Sequence, residues 1–178
     1  MNIVLFGPPG AGKGTQAKHL VKKIDGFQIS TGEMLRNEIY KNSKIGKEIS
    51  NDMKDGNFVS DKIVNKLINE IISDSKKKNR LIFDGYPRTL SQAKDLDIFL
   101  NDSGQKIDFI FFLNVNKDLI IERIKKRKNL ENRSDDDLQT ILKRYDTYME
   151  TTKPVLEFYS KNPNFHEIDG ALEIDEIT

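Results

Sequence analysis

The sequence predicts an α/β fold in three layers, a five-stranded parallel sheet with helices on both faces. Three observations predict it. Short apolar runs (residues 3–6, 81–83 and 109–113 among them) alternate with longer segments of helical periodicity. The runs are near-continuous rather than alternating, the pattern of strands covered on both faces. The first run passes through a glycine-rich turn straight into a helical segment, as a βα unit does.

Residues 3–6 are the first strand, 7–14 the turn, and a helix follows to about Ile24. Residues 27–30 are a short second strand. Ser30, with Glu33 three residues on, reads as a capping box for the next helix. Helices over 34–40 and 45–54 are separated by Asn42 and Ser43, and Gly56-Asn57 ends the second. Ser60 or Asp61 caps a long helix whose apolar positions Ile63, Val64, Leu67, Ile68, Ile71 and Ile72 recur every three or four residues. The third strand, 81–83, ends at Asp84. A helix over 91–100, a fourth strand over 109–113 and a helix over 118–127 follow. A polar loop, 127–133, leads to the last long helix. Ser134 caps it, and Asp135, Asp136 and Asp137 sit in its first turn, where acids favour the helix dipole. Its inner stripe is Leu138, Ile141, Leu142, Tyr145, Met149, Thr152 and Leu156. The fifth strand is 165–168. The last residue, Thr178, comes soon after it, which points to a short final helix and a truncated or irregular terminus.

The 178 residues suit one domain, and no internal repeat divides them. There are 29 basic and 28 acidic side chains, a net charge of +1, which argues against a nucleic-acid-binding surface or a polybasic membrane contact. The absence of cysteine excludes disulfides, thiolate catalysis, Cys-ligated zinc and iron–sulfur clusters. Two histidines, His19 and His166, leave no His-rich metal site. No apolar run approaches the roughly 18 residues of a membrane span, and the N-terminal run is too short for a signal peptide. A cytoplasmic monomer is the expectation. The basic residues divide into 22 Lys and only 7 Arg. Lysine supplies plain charge, whereas the planar fork of arginine is needed where phosphate is gripped in two places.

Gly7-Pro-Pro-Gly-Ala-Gly-Lys13-Gly-Thr15 between a strand and a helix is the context of a P-loop. Backbone N–H groups curl around an anion, the helix N-terminus adds its dipole, and Lys13 supplies a point charge to the outer phosphates. Thr15 stands one place later than the hydroxyl of many P-loops. A switch GTPase also needs Asn-Lys-x-Asp and Asp-x-x-Gly. Asn116-Lys117-Asp118 has its acid one residue early, and no Asp stands three residues before a glycine. Six of the seven arginines, Arg36, Arg88, Arg123, Arg127, Arg133 and Arg144, fall near strand ends and helix starts, a distribution that suggests polyanion binding; only Arg80 stands apart.

Four motifs in order carry a resemblance to adenylate kinases across nearly the whole chain. They are the P-loop, Ser30-Thr-Gly-Glu-Met-Leu-Arg36, Asp84-Gly-Tyr-Pro-Arg-Thr89 with Gln92, and Arg133-Ser-Asp-Asp136 with Arg144. The resemblance implies a P-loop three-layer fold with a small helical segment, 30–59, that binds the nucleoside monophosphate, and a short lid at 127–133. It implies ATP binding by Gly10, Gly12, Lys13, Gly14, Thr15, Arg123 and Arg127. It implies AMP binding by Thr31, Arg36, Gly85, Arg88, Gln92, Arg133, Arg144 and the backbone near Asn57 and Val59. Lys13, Arg88, Arg123, Arg133 and Arg144 would be catalytic, and Asp84 would hold Mg2+ through water. A zinc site is not expected, since only residues 128–132 separate Arg127 from Arg133. UMP/CMP kinases share most of these motifs but resemble a pattern with alanine in place of Thr31 and usually Asn in place of Thr89, so Thr31 favours AMP. The implied reaction is MgATP + AMP ⇌ 2 ADP. The other readings of the motifs are a regulatory nucleotide-binding module without turnover and a phosphotransferase for a non-nucleotide acceptor.

Overall fold

The computed structural model describes residues 1–77, 79–131 and 137–178. Its centre is a parallel five-stranded sheet in the order β2-β3-β1-β4-β5. The strands are β1 (Ile3–Phe6), β2 (Phe27–Ser30), β3 (Leu81–Asp84), β4 (Phe109–Asn114) and β5 (Phe165–Asp169). The register pairs Leu5 with Asp84 on one side and with Phe111 on the other. β1 and β3 are buried at every position, which is why they read as unbroken apolar runs.

Side chains alternate across the sheet. Val4, Phe6, Ile29 and Phe83 join one cluster with Ile68 and Leu96, while Ile3, Leu5 and Ile82 meet Ala17 on the other face. Ala17 belongs to α1 (Lys13–Ile24), Ile68 to α4 (Asp61–Ile72) and Leu96 to α5 (Leu90–Asp102). Between β2 and α4 lie two short helices, α2 (Thr31–Tyr40) and α3 (Lys44–Lys54), which pack tightly on each other. A Cβ built on Gly46 of α3 would stand 2.1 Å from the Glu38 carbonyl oxygen, so this crossing requires glycine. Ser43 caps α3 by accepting from the Gly46 N–H at 2.9 Å.

Several local expectations are corrected. Ser30 occupies the cap position of α2 but makes no side-chain cap hydrogen bond, so the capping box with Glu33 does not form. Ser60 likewise caps α4 by position alone, and Asp61 is drawn instead to Thr89 and Gln92. The loop expected at 127–133 is helical over its described residues, 127–131. Helix α6 (Lys117–Glu131) continues through 127–131, since its Lys, Arg and Glu residues are good helix formers and polarity alone does not end a helix. Ser134, Asp135 and Asp136 lie outside the described residues. The next helix, α7 (Leu138–Thr147), is capped by Asp137, which accepts from the Gln139 and Thr140 N–H groups.

The last long helix is also not one helix. After α7 comes a π-helical turn, Tyr148–Thr152, then α8 (Lys153–Tyr159). Pro154 in the first turn of α8 has no N–H to donate, and the wider turn lies immediately before it. The inward stripe therefore runs through Ile141, Tyr148, Thr152, Val155, Leu156 and Tyr159, while Met149 is exposed. A final short helix, α9 (Ile174–Ile177), packs on α1. Among the described residues no helix is long and apolar enough to cross a membrane.

Candidate functional site

A cleft of about 750 Å³ opens over the carboxyl ends of β1 and β3, where open α/β sheets bind ligands. β1 delivers the glycine-rich turn into it, and β3 delivers Asp84, Gly85, Pro87 and Arg88. Among the described residues, eight cationic side chains line it (Lys13, Lys18, Arg36, Arg88, Arg123, Lys126, Arg127 and Arg144) against four carboxylates (Glu33, Asp84, Glu122 and Glu173). A chain of net charge +1 thus concentrates positive charge in one concave place.

On the first side of the cleft, α1 begins at Lys13, with Gly12 in the left-handed conformation before it. The Lys13 ammonium donates to the carbonyls of Gly7 at 2.8 Å and Pro8 at 3.0 Å. Burial pushes its pKa down to about 8; Asp84 opposes the shift, and Arg88 and Arg127 add to it. Asp84 accepts from Gln28 Nε2 at 3.1 Å, and its Oδ2 would lie 3.4 Å from a Cβ on Gly14. The carboxylate therefore sits beside the start of the P-loop helix. Leu119 and Arg123 of α6 and Leu172 and Ile174 at α9 wall this end. Arg123 Nη1 donates to the Ala11 carbonyl at 3.4 Å.

On the second side, Arg88 is held from several directions. Its Nε donates to the Gly85 carbonyl at 2.8 Å, and its guanidinium lies 5.1 Å from the centre of the Phe58 ring. Thr31 donates to the same Gly85 carbonyl at 2.8 Å, and Arg88 Nη2 reaches Thr31 Oγ1 at 3.5 Å. Gly85 has φ +75°, and a Cβ there would lie 3.1 Å from Arg88 Nη2 and 3.2 Å from Thr31 Oγ1. The positive φ and this close approach favour glycine where the two groups converge. Burial lowers the Arg88 pKa to about 10, and Arg144 and then Arg36 push in the same direction against Asp84. Three guanidinium charges so placed favour an anion between them.

Of the residues singled out in the sequence, Gly10, Gly12, Lys13, Gly14, Thr15, Arg36, Asp84, Gly85, Arg88, Arg123, Arg127 and Arg144 all line this cleft. Thr31 is buried beneath it. Gln92 is not among the lining residues. It is buried, its Oε1 accepts from the Arg88 N–H at 2.7 Å, and its Nε2 donates to Asp61 at 2.6 Å. Asn57 is exposed and Val59 buried; it is Phe58, between them, whose side chain reaches the cleft. Arg133 lies outside the described residues. Sequence reasoning also missed Gln16. Its Nε2 donates to the Ile174 carbonyl at 3.0 Å and its Oε1 accepts from Thr178 Oγ1 at 2.8 Å, tying the P-loop helix to α9. Its position directly after Thr15 was the available signal.

Among the described residues no cluster of three His, Cys, Asp or Glu side chains forms a metal cage. Asp84, a single carboxylate beside the phosphate cradle, fits Mg2+, which keeps several waters and takes further oxygens from substrate phosphates.

The family model described as Adenylate kinase matches residues 5–164. An adenylate kinase of Pelagibacter ubique is 48% identical over 204 aligned positions, covering 100% of this chain and 96% of that protein. One of Maricaulis maris is 42% identical over 177 positions, covering 99% and 94% respectively. One of Thermosipho africanus is 34% identical over 204 positions, covering 99% and 95%. The two 204-position alignments exceed the 178 residues here, so those relatives carry residues with no counterpart in this chain. The chain belongs to the adenylate kinase family.

Proposed function

We propose that the chain transfers the terminal phosphoryl group of MgATP reversibly to AMP, giving two ADP, with the two sides of the cleft holding the two nucleotides. One observation carries this assignment: a P-loop lysine and a separate set of half-buried guanidiniums face one cleft, twice the phosphate-gripping machinery that binding one nucleotide requires.

On the donor side, the backbone of Gly10, Gly12, Gly14 and Thr15 and the Lys13 ammonium take the ATP phosphates. Arg123 and Arg127 neutralise them, and Leu119 and Leu172 offer an apolar wall to the base. On the acceptor side, Arg36 and Arg88 take the AMP phosphate, with Thr31, Gly85, Phe58 and the backbone at Asn57 and Val59 around the nucleoside. Gln92, buried behind Arg88 and held by it and by Asp61, is assigned to the base through the amide hydrogen and lone pair that they leave unused. Arg144, joined by Arg133, stabilises charge on the transferring group. The acceptor phosphate is already an ionised nucleophile, so no general base is needed. Positioning and electrostatic stabilisation carry the rate. Asp84, with water and the ATP phosphates, would hold Mg2+, which when bound neutralises phosphate charge.

Segment 30–59 and the region 127–133 close over the substrates, keeping water from the phosphoryl group. A cytoplasmic monomer serving nucleotide biosynthesis completes the proposal. A coupled assay offering AMP, UMP and CMP separately tests it: AMP should be phosphorylated with the highest kcat/KM. A preference for UMP or CMP would reassign the acceptor site.

A further inference from the structure

One buried hydroxyl, on a residue that lines the cleft, has no hydrogen-bond partner among the described residues. Tyr148 is only 7% exposed and lines the cleft beside Arg144, Thr152 and Arg88. Its hydroxyl oxygen is buried and has no hydrogen-bond partner among the described residues. Two other buried tyrosines differ. The Tyr86 hydroxyl donates to Asn65 Oδ1 at 2.7 Å, and the Tyr159 hydroxyl reaches the Ala93 carbonyl at 3.5 Å. Buried polar groups are nearly always paired, so an orphan that persists in a cleft calls for an explanation.

The backbone around Tyr148 points the same way. It is the first residue of the π-helical turn, and such turns recur at functional sites. Tyr148 faces inward, on the same helix face as Ile141 seven residues earlier, and Met149 faces solvent. One turn earlier stands Arg144; one turn later the Thr152 hydroxyl donates to the Arg88 carbonyl at 3.0 Å, fixing the helix against the arginine-bearing loop. Guanidiniums are donors only, so neither Arg88 nor Arg144 can accept from the phenol.

We propose that the Tyr148 hydroxyl is a substrate contact, donating a hydrogen bond to a phosphate oxygen of the acceptor nucleotide held between Arg88 and Arg144. An anionic oxygen is the acceptor that satisfies both guanidiniums and the phenol. Burial and the neighbouring Tyr145 push the Tyr148 pKa up, so the hydroxyl keeps its proton and can only gain by donating it to an anion. The inference rests on the assignment of the Arg36, Arg88 and Arg144 side to the acceptor.

Tyr148→Phe removes the oxygen and nothing else. Thermal melting of the free variant should match or exceed that of the parent, because an unpaired group has been deleted. Calorimetric titration should show AMP affinity about tenfold weaker, the size of one hydrogen bond to a charged group. The kcat/KM for AMP should fall by the same factor, with ATP affinity unchanged. Parental AMP affinity and kinetics in the variant would overturn the contact. So would a lower melting temperature with equal losses for both nucleotides, which would mark a structural hydrogen bond. If the parent protein uses another nucleoside monophosphate, the choice of acceptor fails, and the variant's affinity for that monophosphate still tests the Tyr148 contact.

Discussion

In the proposed function the two ends of the cleft grip phosphate in different ways. At the P-loop end the cradle comes from one continuous stretch, residues 7–15, whose backbone supplies the donors and whose single lysine supplies the charge. At the other end the proposed grip would be assembled from Arg36 of α2, Phe58 after α3, Gly85 and Arg88 after β3, and Arg144 and Tyr148 on the α7 side, all of which line the cleft. The first arrangement is local and set by the chain's own turn. The second exists only when four distant segments are folded together, and it uses rigid forks rather than a flexible ammonium.

The difference is exposed most strongly by Arg88→Lys. A lysine keeps the charge but loses the planar fork held by the Gly85 carbonyl and the Phe58 ring. We expect kcat to fall by ~10²–10³, as for removal of other electrostatic stabilisers, with little change in melting temperature. Near-parental kcat/KM for both nucleotides would show that charge alone suffices at this end too.

Next in size is Gly46→Ala, aimed at the scaffold of the acceptor segment. The new methyl group would meet the Glu38 carbonyl at 2.1 Å and force α2 and α3 apart. A loss of about 1–3 kcal/mol in urea unfolding is expected, in the range of overpacking, with KM for AMP raised more than KM for ATP.

The P-loop end has its own signature in pH. Lys13 has a pKa of about 8 in the folded protein against 10.5 for a free lysine. Its burial therefore lowers stability fully below pH 8, and that cost is relieved as pH rises from 8 toward 10.5. Phosphate binding raises the pKa again, so ATP affinity should weaken as pH rises above 8, with proton uptake on binding. Calorimetry at about pH 9, within that window, in buffers of different ionisation enthalpy measures the uptake. Zero uptake would show that Lys13 is already fully protonated there.

The smallest effect is expected for Gln16→Leu, which cuts the tie between the P-loop helix and α9. KM for ATP should rise a few-fold, about the worth of one or two neutral hydrogen bonds, while KM for AMP stays constant. An equal rise in both would mean that α9 supports the whole cleft rather than the donor wall.

The same contrast explains what was legible in the sequence. The sheet strands were readable because both faces of β1 and β3 are buried, and the P-loop because its chemistry is contiguous. Arg36, Arg88 and Arg144 were readable because arginine is scarce here and each falls in a motif. Phe58 and Tyr148 were not, because an aromatic residue in a helix or beside one reads as core. Tyr148 lies seven residues after the buried Ile141 on the same face of the helix, and the stripe drawn through Met149 passed beside it. Gln92 was singled out in its motif, but its burial outside the cleft lining and its amide orientation were not legible. The latter depends on Asp61, 31 positions earlier, whose place at the start of α4 read simply as a helix cap.

The most direct test of two nucleotides meeting in one cleft is ³¹P NMR of the protein with MgATP and AMP. ADP should appear at twice the rate at which AMP disappears, without inorganic phosphate, and the mixture should reach the same composition when started from ADP alone. Release of inorganic phosphate from ATP while AMP is unchanged, or no reaction at all, would contradict phosphoryl transfer between the two sides.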